Sequence, residues 1–88
     1  MATVKNISME ITKVKGNSIV EKKFNNVSFE KAMHIIYDYA LTRKDQKMID
    51  WDQFVIETKM TNNLLEIGGT QMIPIPTSYS CIYITKNF

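Results

Sequence analysis

The segment from Ser28 to Lys44 constrains the fold more than any other part of the chain. At about 100° per residue, apolar side chains occupy roughly two thirds of the helical circumference, which is wider than the stripe of an ordinary surface helix. Ser28 is suited to cap the first turn, and Arg43 and Lys44 complement the negative pole at the end. The clearly polar row is narrow and consists of Lys31, His34, Asp38 and Thr42. The pattern predicts one central helix, and Asp45-Gln46-Lys47 gives no strong signal to end it.

Residues 3–24 have the pattern of a β-hairpin. Ile7, Met9 and Ile11 alternate with polar residues, as in a half-buried strand. Lys15-Gly16-Asn17-Ser18 supplies a turn, because glycine adopts the positive φ that primed turns require. A turn centred on Gly16-Asn17 predicts opposite Glu10–Lys23 charges and these pairs: Val14–Ile19, Ile11–Lys22 and Met9–Phe24. One face of the hairpin would then carry Met9, Ile11, Val20 and Phe24.

Residues 50–60 permit two interpretations. Phe54 to Thr58 is rich in strand formers with alternating apolar positions, which favours a strand from about Gln53 to Met60. The alternative is a helix, in which Asp50 and Gln53 would form a capping box.

The remaining residues predict strands and turns. A turn at 61–63, a short strand at 64–67 and a reversal at Gly68-Gly69 follow one another. Two prolines confine an extended segment at 71–76 to a sheet edge, and Tyr79 to Lys86 reads as a strand. The predicted fold class is α+β, with one central helix packed on an antiparallel sheet and the order ββα followed by a meander of three to four strands. The predicted core comprises the helix and these inward side chains: Ile7, Met9, Ile11, Phe24, Ile56, Ile82 and Ile84.

Composition predicts one small globular domain. The chain has 88 residues, of which 44% are hydrophobic, and a net charge of +2. Its basic residues are ten lysines and one arginine, a weak signal for nucleic acid because arginine makes the bidentate contacts. Many Ile, Asn and Lys residues are typical of an AT-rich genome, such as that of a low-GC bacterium or its phages. Without a secretory signal or a bilayer-length apolar run, we expect a cytoplasmic protein that spans no membrane.

The candidate catalytic residues are weak. His34 and Asp38 are one helical turn apart, and a solvated pair is the ordinary reason for that spacing. Cys81, the single cysteine, reads as a small buried strand residue. Asp50 and Asp52 lack the further ligands of a calcium loop. The sequence therefore predicts no enzyme activity, no cofactor and no metal.

The preferred functional hypothesis is a small non-enzymatic binding or regulatory protein, such as a phage or mobile-element inhibitor. It would act through contacts with a protein partner and through self-association as a homo-oligomer, a dimer. The excess apolar flank of the helix and the strand tyrosines give the predicted interface: Ile35, Tyr39, Tyr79 and Tyr83. We expect Trp51 to cover part of the Ile35–Tyr39 flank.

Two alternatives remain open on sequence alone. A nucleic-acid-binding module would use strand tyrosines together with a lysine-rich hairpin: Lys13, Lys15, Lys22 and Lys23. A small-molecule binding protein would place its site between protomers, near His34, Tyr39 or Tyr83.

Overall fold

The protein forms an α+β fold with four strands and three α-helices among the residues that its computed structural model describes, which are 4–15, 17–75 and 79–88. The side chains of residues 14–19 lie outside this description. The elements are β1 (Ile7–Lys15), β2 (Asn17–Val27), α1 (Phe29–Ile35), a π-helical turn (Ile36–Ala40), α2 (Arg43–Met48), α3 (Trp51–Leu64), β3 (Thr70–Pro74) and β4 (Ser80–Lys86).

The four strands form one antiparallel sheet in the order β2-β1-β4-β3. Alternate residues point to opposite faces, so the row Ile11–Ile82–Ile73 lies on one face across three strands. The helices cover this face, and their side chains complete the core: Phe29, Ala32, Met33, Ile35, Ile36, Ala40 and Leu41. The predicted fold class is therefore confirmed, including a helix packed on an antiparallel sheet. The predicted meander of three to four strands after the helix is wrong, because two further helices and only two described strands follow it.

The hairpin pairs as predicted in its middle, but the register shifts by one residue at its base, where Ile7 faces Val27, and again near its tip. Met9 faces Phe24, Glu10 faces Lys23 and Ile11 faces Lys22, but the register then shifts by one residue. Beyond this bulge Val14 faces Ser18 rather than Ile19, because one extra residue of β2 is left unpaired. The predicted turn residue Gly16 lies outside the described residues.

The bulge also moves Val20 to the other face. Val20 pairs with Thr12 and is exposed, so its predicted place beside Met9 and Ile11 is wrong. A one-residue slip in a strand reverses every later side chain, which is why a single bulge has this effect.

The predicted central helix starts after Ser28 as expected, but it ends before the predicted end at Lys44. The Ser28 hydroxyl accepts from the Lys31 N–H as the N-cap. After α1 the backbone widens into the π turn, in which the Leu41 N–H donates to the Ile36 carbonyl, and Leu41 is extended. Thr42 and Asp45 then form a capping box that begins α2. A new cap inside the apolar periodicity therefore ends the first helix before Arg43.

Residues 51–64 form the 14-residue helix α3, so the strand predicted over 53–60 and the turn predicted at 61–63 are wrong. Asp50 caps this helix by accepting from the Gln53 N–H, which is half of the capping box in the alternative interpretation, and the Gln53 side chain donates to Glu57 instead of completing the box. Ile56, placed in the core on the strand hypothesis, is exposed on α3. Local capping and helix packing outweigh the strand propensity of Phe54-Val55-Ile56.

A tight turn connects α3 to the last two strands. Residues 64–67 end the helix and enter the turn instead of forming the predicted short strand. Gly68 has a φ of 89°, which a side chain would disfavour, so the predicted reversal lies here. The Lys86 ammonium donates to the Leu65 carbonyl and stabilises the helix end. β3 lies at the edge of the sheet and ends at Pro74, as proline requires.

Candidate binding groove

An apolar groove of about 650 Å³ lies on the outer side of the helical layer, between α1 with its π turn and α3. The two walls run antiparallel. Trp51, at the start of α3, contacts Tyr37 at the end of the first wall, and Lys59 lies over the Phe29 ring at its beginning.

Two rows with helical spacing form the walls of the groove. Phe29, Met33 and Tyr37 are four residues apart, so they share one face of the first wall. Trp51, Val55 and Lys59 repeat the same spacing on α3. The two rows face each other, which explains why the groove follows the helices lengthwise.

Aromatic contacts hold one end of the groove in place. The Trp51 and Tyr37 rings meet edge to face, with centroids 4.8 Å apart and an interplanar angle of 67°. Trp51 also stacks on Phe54, with centroids 5.3 Å apart. Such pairs contribute about 0.5–1.5 kcal/mol beyond the burial of their area. They fix the position of the indole that forms this end.

Charged side chains line the rim and are paired with one another. His34 Nε2 lies 2.8 Å from Asp38 Oδ2, so the pair expected from sequence is formed on the surface. At the other end, Lys59 Nζ lies 3.8 Å from Glu30 Oε1. Both pairs are exposed to solvent, and the apolar side chains between them form the centre of the groove.

The π turn orients the end of the first wall. Its widened turn shifts Tyr37 and Asp38 relative to a regular helix, and π segments occur often at functional sites. Gln46 of α2 donates its side-chain amide to the Tyr37 carbonyl at 2.8 Å. Because the Thr42–Asp45 capping box stabilises α2, the hydrogen bond from Gln46 fixes the Tyr37 backbone in the groove wall.

The predicted flank Ile35–Tyr39 divides into two different environments. Ile35 is 1% exposed and belongs to the core, so its side chain is not at the surface and we remove it from the candidate interface. Tyr39 is 65% exposed, and the Lys22 ammonium lies 4.6 Å from its ring centroid. Trp51 contacts the Tyr37 ring and packs against the core cluster that includes Ile35, so its cover of part of this flank stays a prediction.

The hairpin lysines are largely engaged in contacts within the chain. Lys13 lies 3.8 Å from Glu21, and Lys23 lies 3.4 Å from Glu10. Lys22 is on Tyr39, and the side chain of Lys15 is outside the described residues. Compensated lysines bind phosphates less strongly than a free basic ribbon, which disfavours the nucleic-acid hypothesis.

The two strand tyrosines are not brought together as a flat row. Tyr79 is exposed and precedes β4, which starts at Ser80, whereas Tyr83 is half-buried within the strand. Tyr83 borders a smaller depression of about 150 Å³ on the sheet face opposite the helices, with Glu10 and Lys23. The pKa of the Tyr83 phenol is raised, first by its hydrogen bond with the Cys81 thiol and by thiolate repulsion, then by desolvation and the Glu10 carboxylate.

Two further observations concern the chemistry and setting of the chain. Within residues 4–15, 17–75 and 79–88, no cluster of three or more His, Cys, Asp or Glu side chains has the geometry to hold a metal ion. No helix in the described part is both long and apolar enough to cross a membrane.

Comparison with known proteins gives no assignment: no family model, curated protein or solved structure matches this chain. The groove is therefore interpreted from its own geometry.

Sequence reasoning identified the His34–Asp38 rim but missed the apolar walls, because half of them belong to α3. The spacing Trp51–Val55–Lys59, equal to that of Phe29–Met33–Tyr37, is the signal that could have revealed them.

Proposed function

We propose that this protein is a small, non-enzymatic regulatory binding protein of the cytoplasm, which receives an amphipathic segment of a protein partner in the groove between α1 and α3. Self-association with a second copy is part of the proposal, as is an origin in a phage or other mobile element. The observation that carries the proposal is the apolar groove with its self-paired charged rim.

The size of the groove supports a peptide segment as its occupant. Phe29 to Tyr37 covers two helical turns, about 12 Å at 1.5 Å per residue. That length matches an amphipathic helix whose anchors recur every three or four residues, the helix-in-groove mode of recognition. The volume of about 650 Å³ accommodates several apolar side chains.

The polarity of the groove supports the same occupant. Its walls are aromatic and aliphatic, and the rim charges are placed beside them, as in interfaces with an apolar centre and a polar edge. Trp51 and Tyr37 are the residue types that most often carry binding energy at such centres.

The experiment uses Trp51 as a reporter, since it is the single tryptophan and lines the groove. Helical peptides selected by display against the full chain are titrated while the fluorescence of Trp51 is recorded. We expect saturable changes and selected sequences with apolar residues three or four positions apart. Tyr37→Ala and Val55→Glu should weaken binding by about tenfold or more.

The matched control is Tyr39→Ala, which removes an exposed tyrosine from the same π turn but outside the groove. It should leave affinity unchanged, and circular dichroism should show that every variant is folded. Equal affinity of the selected peptides for wild type and Val55→Glu would overturn the proposal. A response of Trp51 to small apolar molecules alone would replace it with small-molecule binding.

A further inference from the structure

A second apolar surface runs along the side of α3 that faces away from the core. Ile56, Met60 and Leu64 are four residues apart, so they form a row along the helix. All three are exposed, Met60 to 61% and Leu64 to 86%. Three polar residues border the row, Gln53, Glu57 and Asn63, and the Gln53 side-chain amide donates to the Glu57 carboxylate. We call Ile56, Met60 and Leu64 the outer stripe.

The inner side of the same helical turns is more polar than the outer stripe. Thr58 and Asn62 are buried, and Asn62 Oδ1 has no hydrogen-bond partner among the described residues. Burying an amide while exposing methionine and leucine is unfavourable for an isolated chain, because apolar burial stabilises folds and unpaired polar burial does not. A surface that covers the outer stripe removes the apolar part of this cost, while the Asn62 amide stays buried on the inner side.

We propose that a second copy of the chain covers the outer stripe, with the two α3 helices packed antiparallel about a two-fold axis at Met60. The stripe has one member four residues before Met60 and another four residues after it. Turning the helix end for end therefore superimposes the stripe on itself, as a two-fold interface requires. Ile56 packs against Leu64 of the partner subunit, and Met60 against its own counterpart.

The exposed area approaches what such a dimer needs. The outer stripe presents on the order of 400 Å² of apolar surface, within the range of the largest patches on monomers, which are often functional. Complete burial of two stripes would remove at most roughly 800 Å², and bordering side chains would have to contribute the rest of the about 1,000 Å² that specific interfaces require. A net charge of +2 gives little repulsion between copies, and antiparallel helices align their dipoles favourably.

This inference rests on the self-association within the proposed function, but its surface is separate from the groove. The groove is lined by Val55 and Lys59, while Ile56 and Met60 lie about 100° further around α3. Asp52 and Asn63 occupy the helix surface between them. One copy can therefore use the outer stripe and keep its groove accessible.

The first test measures mass by sedimentation velocity and light scattering from about 1 to 500 µM, the range of weak specific dimers. We expect the wild type to pass from monomer to dimer and Met60→Glu to remain monomeric. Met48→Glu is the matched control, because Met48 on α2 is also 61% exposed and is outside the outer stripe. It should dimerise like the wild type.

The second test determines the arrangement of the helices. Ile56→Lys and Leu64→Glu should each be monomeric, since each places a charge against an apolar side chain of the other copy. An equimolar mixture of the two should form a heterodimer. Antiparallel helices set the introduced ammonium opposite the introduced carboxylate and restore one Ile56–Leu64 contact.

Two results would overturn the inference. A wild type that is monomeric across the whole range removes the dimer, and a mixture that remains monomeric removes the antiparallel register. If a different protein covers the outer stripe, the purified wild type is monomeric, and Met60→Glu no longer binds that protein. Neither result bears on the proposed binding of peptides in the groove. That binding is tested separately, by titrating the protein with peptides and recording the fluorescence of Trp51.

Discussion

The helical layer contains two helices that use their apolar residues in opposite ways. α1 places Ala32, Met33 and Ile35 in the core and leaves Glu30 and His34 in solvent. α3 buries Thr58 and Asn62 and exposes the outer stripe. In α1 nearly all of the apolar surface is buried, and Phe29 and Met33 also border the groove, whereas much of the apolar surface of α3 is exposed.

This difference indicates where stability and recognition reside in a small domain. A chain of this size buries a limited fraction of its surface, so each fully buried residue matters. Changes in α1 and its π turn should therefore alter the free energy of unfolding. Changes on the outside of α3 should alter binding and leave stability nearly unchanged.

The largest effect is expected at Ile36 of the π turn, which is fully buried. Ile36→Ala should lower the free energy of unfolding by about 2–5 kcal/mol, through lost burial and the cavity left behind. Urea denaturation followed by circular dichroism measures it. Ile36→Val, which removes one methyl group, should cost about 0.5–1.5 kcal/mol. If Ile36→Ala lowered the free energy of unfolding by less than about 2 kcal/mol, the Ile36 side chain would not be an anchor of the core.

The next effect concerns the cap that separates the π turn from α2. Thr42→Ala removes the hydroxyl that accepts from the Asp45 N–H, and should cost roughly 1 kcal/mol. Thr42→Ser keeps an oxygen at the same position and should retain most of the stability. Thermal unfolding of the three proteins compares them, and equal melting temperatures for the alanine and serine variants would contradict a capping role.

A gain in stability is expected on the inner side of α3. Asn62→Leu replaces a buried amide whose Oδ1 is unpaired among the described residues, and should raise the free energy of unfolding by about 1 kcal/mol. Asn63→Leu is the control, because Asn63 is exposed and the change should stay within about 0.5 kcal/mol. Destabilisation by Asn62→Leu would show that its amide has a polar partner after all.

The smallest effect is expected at the groove rim. The His34–Asp38 pair is a surface pair four residues apart, so a double-mutant cycle with His34→Ala and Asp38→Ala should give a coupling below about 0.5 kcal/mol. Added salt should reduce it further. A coupling of several times this size would indicate a more buried and specialised pair than the described geometry has.

Local patterns in the sequence were sufficient for much of the fold. The middle of the hairpin, the Ser28 cap and the strand that ends at Lys86 follow from alternation and capping chemistry, which depend on neighbouring residues. The bulge in β2 could not be predicted, since it is selected by the pairing of whole strands rather than by any single residue.

The error at α3 has a specific cause. Phe54, Ile56 and Thr58 alternate as in a strand, yet Ile56, Met60 and Leu64 also recur every four residues as in a helix. The Asp50 cap was the local signal that favoured the helix. Because the groove needs α3 as its second wall, sequence reasoning located only the His34–Asp38 rim and assigned the surplus apolar surface to Ile35 and Tyr39.

The strand order β2-β1-β4-β3 has a consequence for how the chain reaches this fold. The two central strands are β1 and β4, and their pairing joins Ile7 to Lys86. The hairpin β1–β2 forms from local contacts, but the sheet face that receives α1 is completed only after a very long loop has closed. Non-local pairing of this kind slows folding. Until β4 docks, the sheet face that receives α1 is incomplete, so pairing of β1 with β4 is expected to limit the folding rate.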